Sequence, residues 1–183
     1  MKRKSVVAIV ATLIAGVFFW SQLKTDQPSL SAQDYAAQGV AAFKASNLEE
    51  AKRLFELQLK AADSDSSKGV AYYNIGTVVI RMNDRSYALQ CFENATKSAP
   101  KYVPAWLNLG MVRTDSGDAT GAEAAFTAGL QLAPNDPMLL YRRGLLLFRS
   151  GNTSRGLQDL KSAVSIDSRL LRDLDPAIAR ELQ

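Results

Sequence analysis

The run Asp63-Ser-Asp65-Ser-Ser-Lys68 alternates carboxylates as a calcium-binding loop does, where closely spaced oxygens ligate one cation. Two decisive positions are wrong: Lys68 stands where such a loop needs glycine, and Asn74 where it needs a bidentate glutamate. A solvated loop is expected there. Nucleophilic chemistry fares no better, because the 183-residue chain has no histidine and one cysteine, Cys91. The commonest general base and metal ligand is therefore missing. Cys91 has no CxxC partner and precedes Phe92 in a helical pattern, so it reads as a buried or half-buried structural thiol, and an intramolecular disulfide is impossible. No acid, base and nucleophile come together in the sequence; neither enzyme activity nor a cofactor or metal is expected. Asn94-Ala-Thr96 and Asn152-Thr-Ser154 match the glycosylation sequon, which matters only in a eukaryotic secretory protein.

Recognition is left, and charge limits what is recognised. Lys and Arg number 22 against 18 Asp and Glu, but Lys2, Arg3 and Lys4 supply most of the +4 excess. The rest of the chain is nearly neutral. It lacks the concentrated basic face that phosphate binding needs, so no nucleic-acid partner is expected. After those three residues, Ser5 to Trp20 carries no charge. At 1.5 Å per residue this run covers about 24 Å of a ~30 Å hydrocarbon core, and continuing to Leu23 brings it near the minimum span.

The expected organisation is a basic cytoplasmic segment (1–4), a transmembrane signal-anchor (5–23) and a linker containing Pro28 (24–31). The basic residues ahead of the anchor put the amino end in the cytoplasm. The chain is then a single-pass protein of the cell inner membrane whose remainder faces the periplasm. The alternative is a cleaved signal that releases a soluble periplasmic or secreted protein, although Phe18, Phe19 and Trp20 are a poor approach to a cleavage site.

The remainder is periodic. Gly110 has counterparts at Gly76 and Gly144, each 34 residues away, and at Gly39, 37 residues before Gly76. Ala122 corresponds to Ala88, Ala51 and Gly156; Phe126 to Phe92, Phe55 and Leu160; Trp106 to Tyr72, Tyr35 and Leu140. Such self-similarity marks stacked units, each a helix, a tight turn and a second helix. Residues 32 to about 170 resemble the tetratricopeptide repeat (TPR) family on this aromatic, Leu-Gly, small, aromatic and Pro pattern.

The resemblance implies an all-α, right-handed superhelical solenoid of four helix-turn-helix repeats: 32–68 with a loop insertion, 69–102, 103–136 and 137–170. Helices are expected at about 32–45, 48–62, 69–82 and 85–98 in the first two repeats. Caps are expected at Ser31 with Asp34, Asn47 with Glu50, Asp118 and Asp136. Residues 171–183 should cap the last apolar face, with Leu170, Leu171, Leu174, Ile178 and Leu182 on one side and a break at Asp175 and Pro176.

By the same resemblance the first helix of each hairpin lines a concave groove. The groove residues are then Tyr73, Asn74, Thr77, Leu107, Asn108, Met111, Tyr141, Arg142, Leu145 and Arg149, drawn from columns that also contain Phe43 and Ile80. This surface is apolar, with a few amides, and suits an extended peptide or partner helix. Lys44, Arg81 and Arg149 share a column with Asp115, so an acidic peptide or carboxylate terminus could meet Arg142, Arg149 and Arg81. The Lys, Asn and Arg set that clamps chaperone tails in some members is absent, since Ala36 and Val40, or Tyr73 and Thr77, occupy its first positions. The resulting expectation is a membrane-anchored, non-catalytic scaffold that assists assembly of an envelope complex. Self-association through the groove or terminal helix is the rival.

Overall fold

The computed structural model describes residues 30–182. The anchor expected over 5–23 lies outside them, and among the described residues no helix is long and apolar enough to cross a membrane. From Ala32 onward the chain forms one compact unit. Its helices are α1 (Ala32–Lys44), α2 (Leu48–Ala61), α3 (Asp65–Arg81), α4 (Arg85–Ser98), α5 (Val103–Asp115), α6 (Ala119–Leu132), α7 (Pro137–Arg149) and α8 (Thr153–Ile166). A 3-10 turn (Ser168–Asp173) and α9 (Pro176–Glu181) follow. Each helix packs on its neighbours in sequence, most extensively within a hairpin. That is the one-dimensional stacking of a repeat solenoid.

The four hairpin turns share one device. Ser46, Asn83, Gly117 and Gly151 have positive φ (61°, 64°, 80° and 87°). The next residue in each case returns its N–H to a carbonyl five positions back: Asn47 to Ala42, Asp84 to Val79, Asp118 to Arg113 and Asn152 to Leu147. These are Schellman endings. The same next residue opens the second helix, and the side chains of Asn47, Asp84 and Asp118 accept from the third helical N–H. One residue thereby ends one helix and starts another, which fixes the hairpin with a very short turn.

Two local expectations are corrected. Residues 65–68 are helix, not loop: Ser64 and Ser67 cap each other reciprocally at 3.2 Å, and Ser67 also donates to the Asp63 carboxylate. Asp65 in the first turn complements the positive amino end of the helix dipole. The extra residues of the first interval therefore lengthen α3 to 17 residues. The second correction concerns Glu50, which does not complete a capping box with Asn47. Its carboxylate is held by Arg53 in two 2.8 Å bonds, and the Asn47 N–H is already bound to Ala42.

The repeated glycines seat aromatic rings. A side chain at Gly39, Gly76 or Gly110 would run into Phe55, Phe92 or Phe126 respectively, each almost wholly buried. The fourth repeat is closer still, backbone to backbone. A methyl group on Gly156 would lie 2.7 Å from the Phe148 nitrogen and 2.8 Å from the Gly144 carbonyl oxygen. Backbone cannot swing aside as a ring can, so the alanine that serves at positions 51, 88 and 122 is excluded at 156.

The tail covers the last hairpin as expected, in two short helices broken at Asp175 and Pro176. Leu170, Leu174 and Ile178 are buried with Leu139, Tyr141 and Leu160. Leu171 instead turns outward and is 37% exposed. Three residues per turn put adjacent Leu170 and Leu171 about 120° apart, so both cannot face the core.

Candidate functional site

The first helices α1, α3, α5 and α7 form the face on which the groove is built. α1 touches α3 and α5 touches α7, whereas α3 and α5 approach each other least. The larger pocket of about 270 Å³ opens at that gap, lined among others by Phe43, Thr77, Ile80, Asn108 and Met111, with Phe92 at its base. A smaller one, about 120 Å³, lies across α5 and is lined by Met111, Phe126, Arg142, Leu145 and Arg149. Met111 and Asp115 border both.

The ten groove residues separate into two groups. Thr77, Asn108, Met111, Arg142, Leu145 and Arg149 line one or both pockets. The other four are engaged within the protein. Tyr73 packs on Phe92 and edge-on against Tyr102, with ring centroids 6.1 and 5.1 Å away. The Asn74 amide donates to the Gln58 side chain at 3.0 Å. Leu107 packs against the core cluster of the third and fourth repeats. Tyr141 corrects the expected column most clearly: it is 5% exposed, and its hydroxyl donates to the Asp173 carbonyl at 3.1 Å, beneath the tail. Burial raises its phenol pKa, with Arg142 and Arg149 pulling the other way.

Asn74 and Asn108 share a column yet differ, and the cause is a partner in another helix. Gln58 is 4% exposed in a column otherwise occupied by Ala95, Gly129 and Ala163. A buried amide must be hydrogen-bonded, and Asn74 meets that need. Asn108 has no such neighbour and its side chain makes no hydrogen bond among the described residues, so its carboxamide is open to a ligand main chain. Thr77 donates its hydroxyl to the Tyr73 carbonyl at 2.9 Å.

Arginines divide in the same way. Arg81 donates to the Phe43 carbonyl and the Ser46 hydroxyl, both at 3.3 Å, and lies 4.7 Å from the Phe43 ring centre. It braces α1 against α3 and also borders the larger pocket. Arg113 binds Glu93 at 3.0 Å, tying α5 to α4. Sequence reasoning missed the Arg143 and Asp159 pair, joined at 2.7 and 3.0 Å with Thr127 as a third member. A signal was present: Arg143 occupies the column of Gln38, Ile75 and Leu109, and Asp159 that of Leu54, Cys91 and Ala125. A charge in the second, wholly apolar column calls for an opposite charge, and Arg143 in the same repeat supplies it.

Cys91 is 2% exposed, and burial pushes its thiol up to about 11, so it remains protonated and inert at neutral pH. Its packing role agrees with the sequence reading.

Stacked helical hairpins with an open groove on their first helices define a repeat-type protein interaction module. The sequence model described as tetratricopeptide repeat matches residues 73–137 and 113–170, together more than half of the chain, and the chain belongs to that family. A curated relative, the anaphase-promoting complex subunit CDC16 of Saccharomyces cerevisiae, is 25% identical over 118 residues, 64% of this chain. The chain spans only 14% of that protein's length. Among solved structures, MamA superposes with a TM-score of 0.68 at 17% identity, covering 84% of this chain and 87% of its own. YrrB, described as a TPR protein with an unusual peptide-binding site, superposes at 0.64 with 23% identity, covering 97% and 86%. At these identities the likeness concerns the fold alone.

Proposed function

We propose that this chain is a scaffold that holds an extended segment of a partner protein along α3, α5 and α7. The observation that carries this reading is the pair of adjoining pockets on either side of α5, beside which the Asn108 carboxamide is left without an internal partner. Main-chain hydrogen bonding by Asn108 and apolar contact with Met111, Ile80 and Phe43 would together hold a peptide in one register. YrrB, a relative in fold described as having a peptide-binding site, is in keeping with that use.

A displayed-peptide library selected on the full-length chain in detergent tests it. Enriched peptides are expected to lose at least tenfold in affinity when Met111→Trp fills both pockets, and to be indifferent to Gln158→Trp on the exposed side of α8. Equal binding to both variants would sink the groove reading.

The proposal extends to location. The basic residues 2–4 and the uncharged run that follows support a single-pass inner-membrane anchor with the repeats in the periplasm, where the scaffold would assist assembly of an envelope complex. Host membranes washed with alkaline carbonate are expected to retain the full-length chain. Release of a shortened chain into the soluble fraction would replace the anchor with a cleaved signal.

A further inference from the structure

We propose that the groove selects an acidic peptide in which an apolar side chain and a carboxylate lie about three residues apart. The apolar group sits between α3 and α5, and the carboxylate between Arg142 and Arg149. This rests on the groove reading above and narrows it to one ligand chemistry.

The first helices carry five arginines, and three have partners within the protein: Arg81 on Phe43 and Ser46, Arg113 on Glu93, and Arg143 on Asp159. The side chains of Arg142 and Arg149 make no hydrogen bond or ion pair with any described residue. The Arg142 Nε is shut away from solvent with no acceptor, the one buried side-chain nitrogen or oxygen in that position among the described residues. Buried donors are almost always satisfied, so a guanidinium that turns to present this N–H, with its terminal nitrogens, to a carboxylate in the adjoining pocket gains a bond it lacks within the protein. Both guanidiniums border the smaller pocket, whose apolar side is Met111, Phe126 and Leu145. A low-dielectric wall strengthens a charge-assisted hydrogen bond made there.

The facing acids do not cancel this. Asp115 borders the pocket, and Asp173 lies near the Tyr141 hydroxyl, but neither pairs with Arg142 or Arg149 within 4 Å. Two cations therefore face one bordering carboxylate, and the pocket keeps a net positive charge.

Spacing follows from the fold. Helices packed side by side lie ~8–10 Å apart, the looser α3–α5 gap sets the upper end of that range, and an extended chain advances ~3.3–3.6 Å per residue. Groups seated on the two sides of α5 are then about three residues apart in the ligand. The apolar part of the larger pocket, Phe43, Ile80 and Met111, suits an aliphatic side chain, and the opposite charges of Arg81 and Asp115 on its border leave it without a net charge.

Fluorescence anisotropy on the full-length chain in detergent tests the inference with acetylated, amide-capped nonapeptide pools carrying fixed Leu-x-x-Glu, Glu-x-x-Leu or Leu-x-x-Gln. One of the two acidic pools is expected to bind at least tenfold more tightly than the Gln pool. Arg142→Gln and Arg149→Gln, checked by thermal melting, should each remove about tenfold of that preference and leave the Gln pool unchanged. Equal binding of acidic and Gln pools overturns the proposal, as does an acid preference that survives both substitutions or the absence of binding by any pool. Binding confined to peptides with a free carboxyl terminus overturns the side-chain assignment. A peptide that is sensitive to Met111→Trp without any acid preference leaves the groove reading standing and removes only this refinement.

Discussion

Deletion of Ser168 to the carboxyl end is expected to abolish cooperative folding of the last repeat and to lower the melting temperature of the rest. The segment buries Leu170, Leu174 and Ile178 to 7%, 7% and 6% exposure against α7 and α8. Full burial of such side chains contributes about 1.5–3 kcal/mol each, so the three together represent roughly 4.5–9 kcal/mol before chain entropy is set against them. A domain of this size has only ~5–15 kcal/mol in total. The deletion also uncovers Leu139, Leu160 and Tyr141, whose hydroxyl loses the Asp173 carbonyl. An exposed terminal apolar face is moreover an aggregation surface in a solenoid.

Circular dichroism should show a loss of helix greater than that of the deleted residues, with melting lowered by about 10 °C or more at ~2–4 °C per kcal/mol. A full-length Leu174→Asp, Ile178→Asp variant should behave similarly. Unchanged melting in both would mean that the tail lies on the solenoid without stabilising it.

The second expected result is a reversal. Asp159→Ala should cost about 3 kcal/mol, and adding Arg143→Leu should restore most of it. The two side chains are 17% and 11% exposed and meet in a two-bonded, fork-like geometry. Removing one member of a mostly buried pair leaves the other charge desolvated, at a typical cost of ~3–5 kcal/mol. The lower figure applies because Thr127 still accepts from Arg143 at 3.2 Å. Taking out both charges ends the penalty, and the Leu and Ala introduced are those that repeat 3 already uses at Leu109 and Ala125, 2% and 1% exposed. Urea denaturation of the wild type, both single variants and the double variant gives the coupling directly. A single variant costing less than ~1 kcal/mol, or a double variant as unstable as Asp159→Ala, would show that the pair does not carry this energy.

The hairpins were legible because their causes are local. Gly117 and Gly151 announce left-handed turn positions, and Asp118 and Asp136 announce caps, since a short polar side chain beside a helical run has one ready use. Ser46 and Asn83 hold the same turn without glycine and gave a weaker signal. The error over residues 65–68 had a local cause too. Ser64 and Ser67 form a reciprocal cap that the alternating acids obscured. The column arithmetic located the groove face but could not sort its members. Asn74 and Asn108 are equivalent in the pattern, and only Gln58, sixteen residues before Asn74 and on another helix, separates them.

By itself, then, the amino-acid order determined the repeat, its period, its turns and the small and aromatic columns that set helix spacing, because these depend on neighbours within one hairpin. Tertiary structure alone decided which polar groups remain free to bind. Whether Arg81, Asn74 and Tyr141 are engaged, and Arg142, Arg149 and Asn108 are not, depends on partners from other helices and the tail. A repeated pattern assigns every copy of a column the same surroundings. Packing does not, because the chain has two ends and each hairpin meets a different neighbour.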